Sequence, residues 1–460
     1  MSTYIHLFET VSAYTEARNS EYTEPWVSYT VENEKVDYNL SEEEKKLLQP
    51  LTFEITSDGT INWGHDFGEW SPLEFSRTLE YRKNDGEWTE ITSTEMIYND
   101  STDRYSGGTV INVVSGDVVE FRGNNADFCY FDENIYGIRI FCSFEPSTCG
   151  FKLSGNIMSL INSTEYATLT TLESAYTFYL LFGGSSGLTD ASNLLLPATT
   201  LTDYCYKSMF GGCRNLVNAP ELPATTLAQG CYSYMFDGCT SITTAPTLPA
   251  TTLAQGCYDG MFSSCESLTG VPELPATTLA AGCYDSMFYG CTSLTTAPSL
   301  PATTLADYCY QSMFSNCTSL TTAPELPATT LAESCYSYMF QGCTSLTTAP
   351  ELPATSLVSS CYESMFAGCT SLTTAPELPA TTLAESCYSY MFYGCSSLNY
   401  IKCLTTTISA SYSHYYWVSG VQTTSGTFVK NSSITESTWG RGVSGIPNNW
   451  TVEDDLINVQ

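Results

Sequence analysis

A 26-residue phrase, LPATTLAxxCYxxMFxGCTSLTTAPE, is written eight times between about Leu196 and Leu398, and nothing else in the chain limits its fold so strongly. Cysteine recurs at 205, 231, 257, 283, 309, 335, 361 and 387, a second cysteine follows each by eight residues, and Met-Phe stands between them from Met209-Phe210 to Met391-Phe392. A fixed period of this length marks a solenoid, in which each unit buries its apolar face only against its neighbours.

Within one copy, Thr330 and Glu333 are spaced as a capping box. Leu331, Ala332, Cys335, Tyr336, Met339, Phe340 and Cys343 then follow at three- and four-residue steps, which predicts one helical stripe ended by Gly342. Leu346 to Pro353 carries two prolines, so the following strand is expected to be short and to pass into a polyproline-like run. The expected class is therefore α+β, a solenoid of helix/strand coils. Outer positions vary between copies (Asp203-Tyr204, Gln229-Gly230, Ala281-Gly282, Asp307-Tyr308, Glu333-Ser334) while inner ones do not, which identifies the solvent face.

The wording MFxGCTSLTTAPELP resembles the BspA-like leucine-rich repeats, whose phrase reads AFxGCTSLTxVxIP, and the resemblance covers all eight copies. Members of that family are cell-surface or virion-associated binding proteins, so the resemblance implies adhesion and not catalysis. This chain departs from the usual strand by one added residue and a second proline.

Worn copies flank the eight. Phe178, Leu181-Phe182, Gly184, Leu188 and Ala191 match Tyr206, Met209-Phe210, Gly212, Leu216 and Ala219 at an offset of 28, and Ser413, Trp417, Val418 and Gly420 fall in register beyond the last copy. Degenerate end coils are what a solenoid needs to cover its open ends. Four segments follow: 1–50 a docking module, 51–160 a β-sandwich of immunoglobulin-like pattern, 161–421 the solenoid and 422–460 a capping segment with closing strands near Gly426–Val429 and Gly445–Val452. The sandwich rests on turn dipeptides at Asp58-Gly59, Asn84-Asp85-Gly86 and Ser115-Gly116 between alternating runs, and it reads as a spacer or a glycan-binding module. In the first segment Ser41 and Glu44 form a second capping box, opening a helix that Pro50 stops. Its aromatic load, with Tyr22, Trp26 and Tyr29 as candidate docking residues, suits either a docking surface or packing on the next domain. The stretch around EPWVSY is similar to N-terminal segments of structural proteins from crAss-like gut phages, and the tail resembles the closing segment of repeat proteins from such phages and from Bacteroidetes.

With 49 acidic and 16 basic residues, the net charge of -33 repels phosphate backbones and argues against nucleic acid. No apolar run reaches the roughly 18 residues a membrane span needs, and the N-terminus lacks a basic region followed by an apolar core. A virion component made in the host cytoplasm is expected on that ground; a bacterial cell-surface adhesin is the alternative. A fibre or decoration protein of head or tail implies a homo-oligomer, contacting other virion proteins and a host surface glycan or protein.

Cysteines eight apart on a helix would be about 12 Å apart, too far for a disulfide and matching no zinc spacing, so they read as buried free thiols. Cys142 and Cys149 are close enough in sequence to pair under oxidation. Histidines occur at 6, 65 and 414, none inside the eight copies, so a nucleophile there has no imidazole base nearby in sequence. His65-Asp66 is read as a solvent-facing loop pair, and the recurrent Glu221, Glu273, Glu325, Glu351 and Glu377 as a solvated stripe. No catalytic residue, cofactor or metal site is expected, and a glycan depolymerase is the lesser alternative. The candidate contacts are Tyr204, Tyr234, Tyr289, Tyr308, Tyr338, Tyr390 and Tyr393, whose flat rings and hydroxyls suit a sugar or a protein loop and are equally readable as ordinary surface residues.

Overall fold

The computed structural model describes residues 41–66, 75–99, 104–131, 139–145, 147–421 and 424–455. Tyr22, Trp26 and Tyr29 lie outside them. The chain forms two compact units, residues 1–200 with 215–223, and residues 201–214 with 224–460.

The first helix among the described residues is α1, Glu42–Leu47, and the capping box is in place: Ser41 Oγ accepts from the Glu44 amide, and the Glu44 carboxylate accepts from the Ser41 amide. Twelve strands follow among the described residues: β1 Leu51–Ile55, β2 Gly59–Asp66, β3 Thr78–Lys83, β4 Thr89–Thr92, β5 Thr94–Asn99, β6 Arg104–Gly107, β7 Thr109–Val113, β8 Val118–Gly123, β9 Cys129–Phe131, β10 Arg139–Ser143, β11 Phe151–Asn156 and β12 Leu188–Leu195. One sheet has the order β12-β11-β1-β8-β3-β4; the other runs β6-β5-β2-β10-β9, with β7 also on β2. Rings from both meet in one core, where Phe144 lies 5.0 Å from Phe53, 5.0 Å from Phe121 and 4.8 Å from Trp63.

The immunoglobulin-like pattern is not reproduced. β2 pairs β5 in parallel and β11 pairs β12 in parallel. Of the three expected hairpins only β3–β4 forms, with Asn84 and Asp85 both at positive φ in the turn. At Asp58-Gly59 and Ser115-Gly116 the chain crosses between sheets, because β1 pairs β8 and β11 while β2 pairs β7. A turn signal fixes where the chain reverses and not which strand it rejoins. β12 is also the strand of the worn first copy, and Phe182 of that copy stacks on Phe144 at 5.7 Å, so sheet and first coil share one core.

The second unit is a β-solenoid, and here the α+β expectation fails. None of the eight copies contains a helix. Each Cys-Tyr-x-x-Met-Phe segment is a ribbon of consecutive turns in which alternate amides serve two directions. Cys335, Ser337, Met339, Gln341 and Cys343 donate three residues back, whereas Tyr336, Tyr338, Phe340 and Gly342 donate to Cys361, Glu363, Met365 and Ala367 of the next coil. Every fourth residue is left-handed, as at Ser334, Tyr338 and Gly342, and an α-helix of L-residues does not tolerate that. The expected box at Thr330 and Glu333 is absent too: the Glu333 amide donates to Asp307 Oδ1 of the preceding coil.

Coils therefore stack at ladder spacing and not at helix-packing distance. The buried tyrosines from Tyr206 to Tyr388 lie 5.8 to 6.2 Å from their copies, as at Tyr206–Tyr232 and Tyr362–Tyr388. The phenylalanines from Phe210 to Phe392 stack at 5.5 to 5.9 Å. All 20 cysteines are buried and none forms a disulfide, Cys142 and Cys149 included. Seven second-position thiols, from Cys239 to Cys395, donate to a phenylalanine carbonyl 29 residues earlier, as Cys343 does to Phe314 at 3.1 Å. The strand side is thin, single bridges such as Thr322↔Thr348, as the prolines require.

Beyond the repeats, β13 Tyr400–Cys403, β14 Thr427–Asn431 and β15 Thr451–Asp455 form a parallel sheet, with helix α2 at Glu436–Trp439. Trp417 sits on the end of both ladders, 6.5 Å from Tyr388 and 6.1 Å from Phe392, and Trp439 stacks on it at 5.3 Å. Lys402 pairs with Glu377 and Asp455, Lys430 with Asp454, and Arg441 with Glu436. No helix of the described residues is long and apolar enough to cross a membrane.

Candidate functional site: the tyrosine-bearing turn face

The turn ribbon has three left-handed positions per coil. The first runs Tyr204, Gly230, Gly256, Gly282, Tyr308, Ser334, Ser360, Ser386, Tyr412, and the second Ser208, Tyr234, Gly260, Ser286, Ser312, Tyr338, Ser364, Tyr390, Tyr416. The third is glycine except at Ser264 and Asn316. Glycine occupies such positions without steric cost, and a bulky ring there is an outlier. Five of the seven candidate tyrosines stand at the first two positions; Tyr289 and Tyr393 stand just before the third, exposed by 40 and 48 percent.

Ring placement follows from stacking. A Cβ built on Gly230 would meet the Tyr204 ring at 2.3 Å, and one on Gly260 the Tyr234 ring at 2.3 Å. Tyr204 and Tyr234 thus lie along the solenoid over the same position of the next coil, which is glycine in both cases, whereas Tyr390 is followed there by Tyr416 and stacks on it at 6.0 Å. Serine takes that position after Tyr308 and Tyr338, at Ser334 and Ser364. Hydroxyls find partners one coil on: Gln229 Nε2 donates to the Tyr204 hydroxyl at 2.7 Å, Tyr308 donates to Glu333 at 3.3 Å and Tyr338 to Glu363 at 3.4 Å. Burial and then Asp259 push the Tyr234 hydroxyl up to about 12.

The candidates are not one cluster. Tyr204 and Tyr234 share the Lys207 ammonium, which lies 5.4 and 5.8 Å from their centroids. Near them Asp259 and Asp285 are carboxyls pushed up to about 6, both chiefly by burial and Asp259 also by Asp285. Tyr390 and Tyr393 belong to a larger group with Tyr412, Tyr415 and Tyr416, linked by ring contacts of 4.5 to 6.0 Å. Sequence reasoning missed those last three because the final coil has lost its cysteine and methionine; their register 26 residues after Ser386, Ser389 and Tyr390 was the available signal.

The remaining polar candidates sit elsewhere. His65 is on β2 and buried, correcting its reading as a loop residue. The Arg77 amide donates to Ser93 Oγ, and His65 Nδ1 lies 3.0 Å from the same oxygen. Burial lowers the His65 pKa. Glu221, Glu273, Glu325, Glu351 and Glu377 are exposed. Among the described residues no group of three or more His, Cys, Asp or Glu is placed to hold a metal ion.

Compared with known proteins, the chain matches the model of the BspA type leucine rich repeat region, with 6 copies, over residues 192–321 and 307–449. No curated protein and no solved structure matches it. The matched segments span more than half of the 460 residues and contain the whole ladder of turns and tyrosines described above, so the chain belongs to the BspA-type leucine-rich-repeat family.

Proposed function

We propose that this repeat protein is a non-enzymatic component of a phage virion, on head or tail, which presents the tyrosine face of its solenoid to a glycan or protein of the host surface. One observation carries the binding role: large aromatic rings occupy left-handed positions where glycine or serine serves in other coils. The interior is uniform while this outer face varies, as expected where selection acts on contact and not on packing. Tyrosine supplies a rigid ring and a hydroxyl at small entropic cost. Residues 1–50 would dock on other virion proteins as part of a homo-oligomer, consistent with the similarity of the stretch around EPWVSY to phage structural segments.

Flow cytometry of labelled protein on candidate host cells tests the role. Binding is expected, and a Tyr308→Ser, Tyr338→Ser, Tyr390→Ser variant should lose at least about tenfold in affinity while its melting stays cooperative. Equal binding by the variant would remove these tyrosines from the contact. Mass spectrometry of purified particles separates the virion from a bacterial cell-surface adhesin, and shortening of host polysaccharide by the protein would overturn the non-enzymatic reading.

A further inference from the structure

The two ends of the solenoid treat their tyrosines differently. In the first regular coil Lys207 lies over Tyr204 and over Tyr234 of the coil after it. A cation above a ring face is attracted by the negative centre of the π system, so these paired tyrosines already hold an ammonium group. In the last coil Tyr412 stands where Tyr204 does, and the place of Lys207 is taken by Tyr415. Tyr390 and Tyr416 supply second-position rings beside it.

Tyr415 meets Tyr412 at 5.6 Å and 89°, Tyr390 at 5.6 Å and 86°, and Tyr416 at 4.5 Å and 63°. Tyr390 and Tyr416 are 6.0 Å apart and nearly parallel. Tyr412 and Tyr390 thus stand at right angles to Tyr415 while Tyr416 is inclined to it, and Tyr412, Tyr415 and Tyr416 are exposed by 65, 39 and 38 percent, with Tyr390 half-buried. Among the described residues no lysine or arginine lies over them.

We propose that Tyr390, Tyr412, Tyr415 and Tyr416 form a receptor for a quaternary ammonium group of the choline class. It rests on the reading of the tyrosine face as the binding face and names its ligand. The net charge of -33 favours a cation at long range. The walls select the kind of cation. A primary ammonium or a guanidinium that sheds water needs carboxylate or carbonyl acceptors for its N–H groups, whereas a methyl-covered nitrogen needs only ring faces.

Saturation-transfer NMR on the full chain, with choline against its uncharged isostere 3,3-dimethyl-1-butanol, tests this. Transfer to the choline N-methyl protons is expected, with at least about tenfold weaker binding of the isostere and of ethanolamine. Tyr412→Ala should weaken choline about tenfold, and Tyr415→Lys, which supplies the ammonium from the chain as Lys207 does, should abolish binding while tryptophan fluorescence and melting stay unchanged. Absence of N-methyl transfer, equal binding of the isostere, or preference for ethanolamine would overturn the proposal. If choline fails but the Tyr308, Tyr338, Tyr390 variant still loses host binding, the ligand assignment falls and the binding face stands; if choline binds and host cells do not, the reverse holds.

Discussion

Tyrosine in a left-handed backbone costs on the order of 1 kcal/mol over glycine, and this chain accepts that at Tyr204, Tyr234, Tyr308, Tyr338, Tyr390, Tyr412 and Tyr416. The complementary glycines give a test. Gly230 and Gly282 occupy the same turn position, at φ +55 and +57, but a Cβ on Gly282 meets open space while one on Gly230 strikes the Tyr204 ring. Gly282→Ala should cost about 1 kcal/mol of strain, and Gly230→Ala about 1 kcal/mol more, the excess vanishing in a Tyr204→Ala background; chemical denaturation measures all four. Asp259 and Asp285 set a pH dependence. Their folded pKa of about 6 lies above the ordinary 3.8, so the folded state binds the proton more tightly. Stability should rise as pH falls through 6 toward about 4, and Asp259→Asn should flatten that slope and melt higher than the parent at pH 7. From sequence, Tyr308 and its fellows were visible as departures at variable positions. Their strain and their direction along the solenoid were not, since both follow from a turn geometry that no propensity announces.

At the scale of the element, the repeat misled because Cys335-Tyr336, Met339-Phe340 and Cys343 mimic a helical stripe. The pattern is two inward, two outward, a period of four and not 3.6, and the fourth-residue left-handed positions, filled by Ser334, Tyr338 and Gly342, were the sign of it. The interior was legible all the same, since what is apolar and invariant is buried under either geometry. The thiols are inward for a reason different from the one expected: no helix separates Cys335 from Cys343, and the second thiol of a coil binds a carbonyl of the coil before. Ser413 and Trp417 were readable by register and the closing strand at Thr427 by its local pattern, whereas β13 and α2 were not, being held by contacts distant in sequence. Trp417 carries the end of both aromatic ladders. Trp417→Ala should cost about 3 to 5 kcal/mol locally, seen as faster amide exchange at Met391 and Phe392 with Met287 and Phe288 unchanged.

For the whole solenoid, each coil bonds only to the coils before and after it, so stability is a sum of coil and interface contributions. Removing residues 275–300, one full period, joins Leu274 to Pro301 in phase and should give a cooperatively folding protein with its C-terminal tyrosines intact. Removing 275–287, half a period, should broaden and lower the circular-dichroism transition relative to the full-period deletion, because every ring beyond the cut then faces the wrong ladder.

The dry sulfur lining has a practical outcome. Burial holds Cys343 up at about 12 and Cys335 higher still, so both remain thiols that an alkylating reagent cannot reach. Once a coil peels from its neighbour, its two sulfurs become titratable together. Mass added in steps of two labels would then number the opened coils directly, making the protein its own gauge of how far it has unzipped.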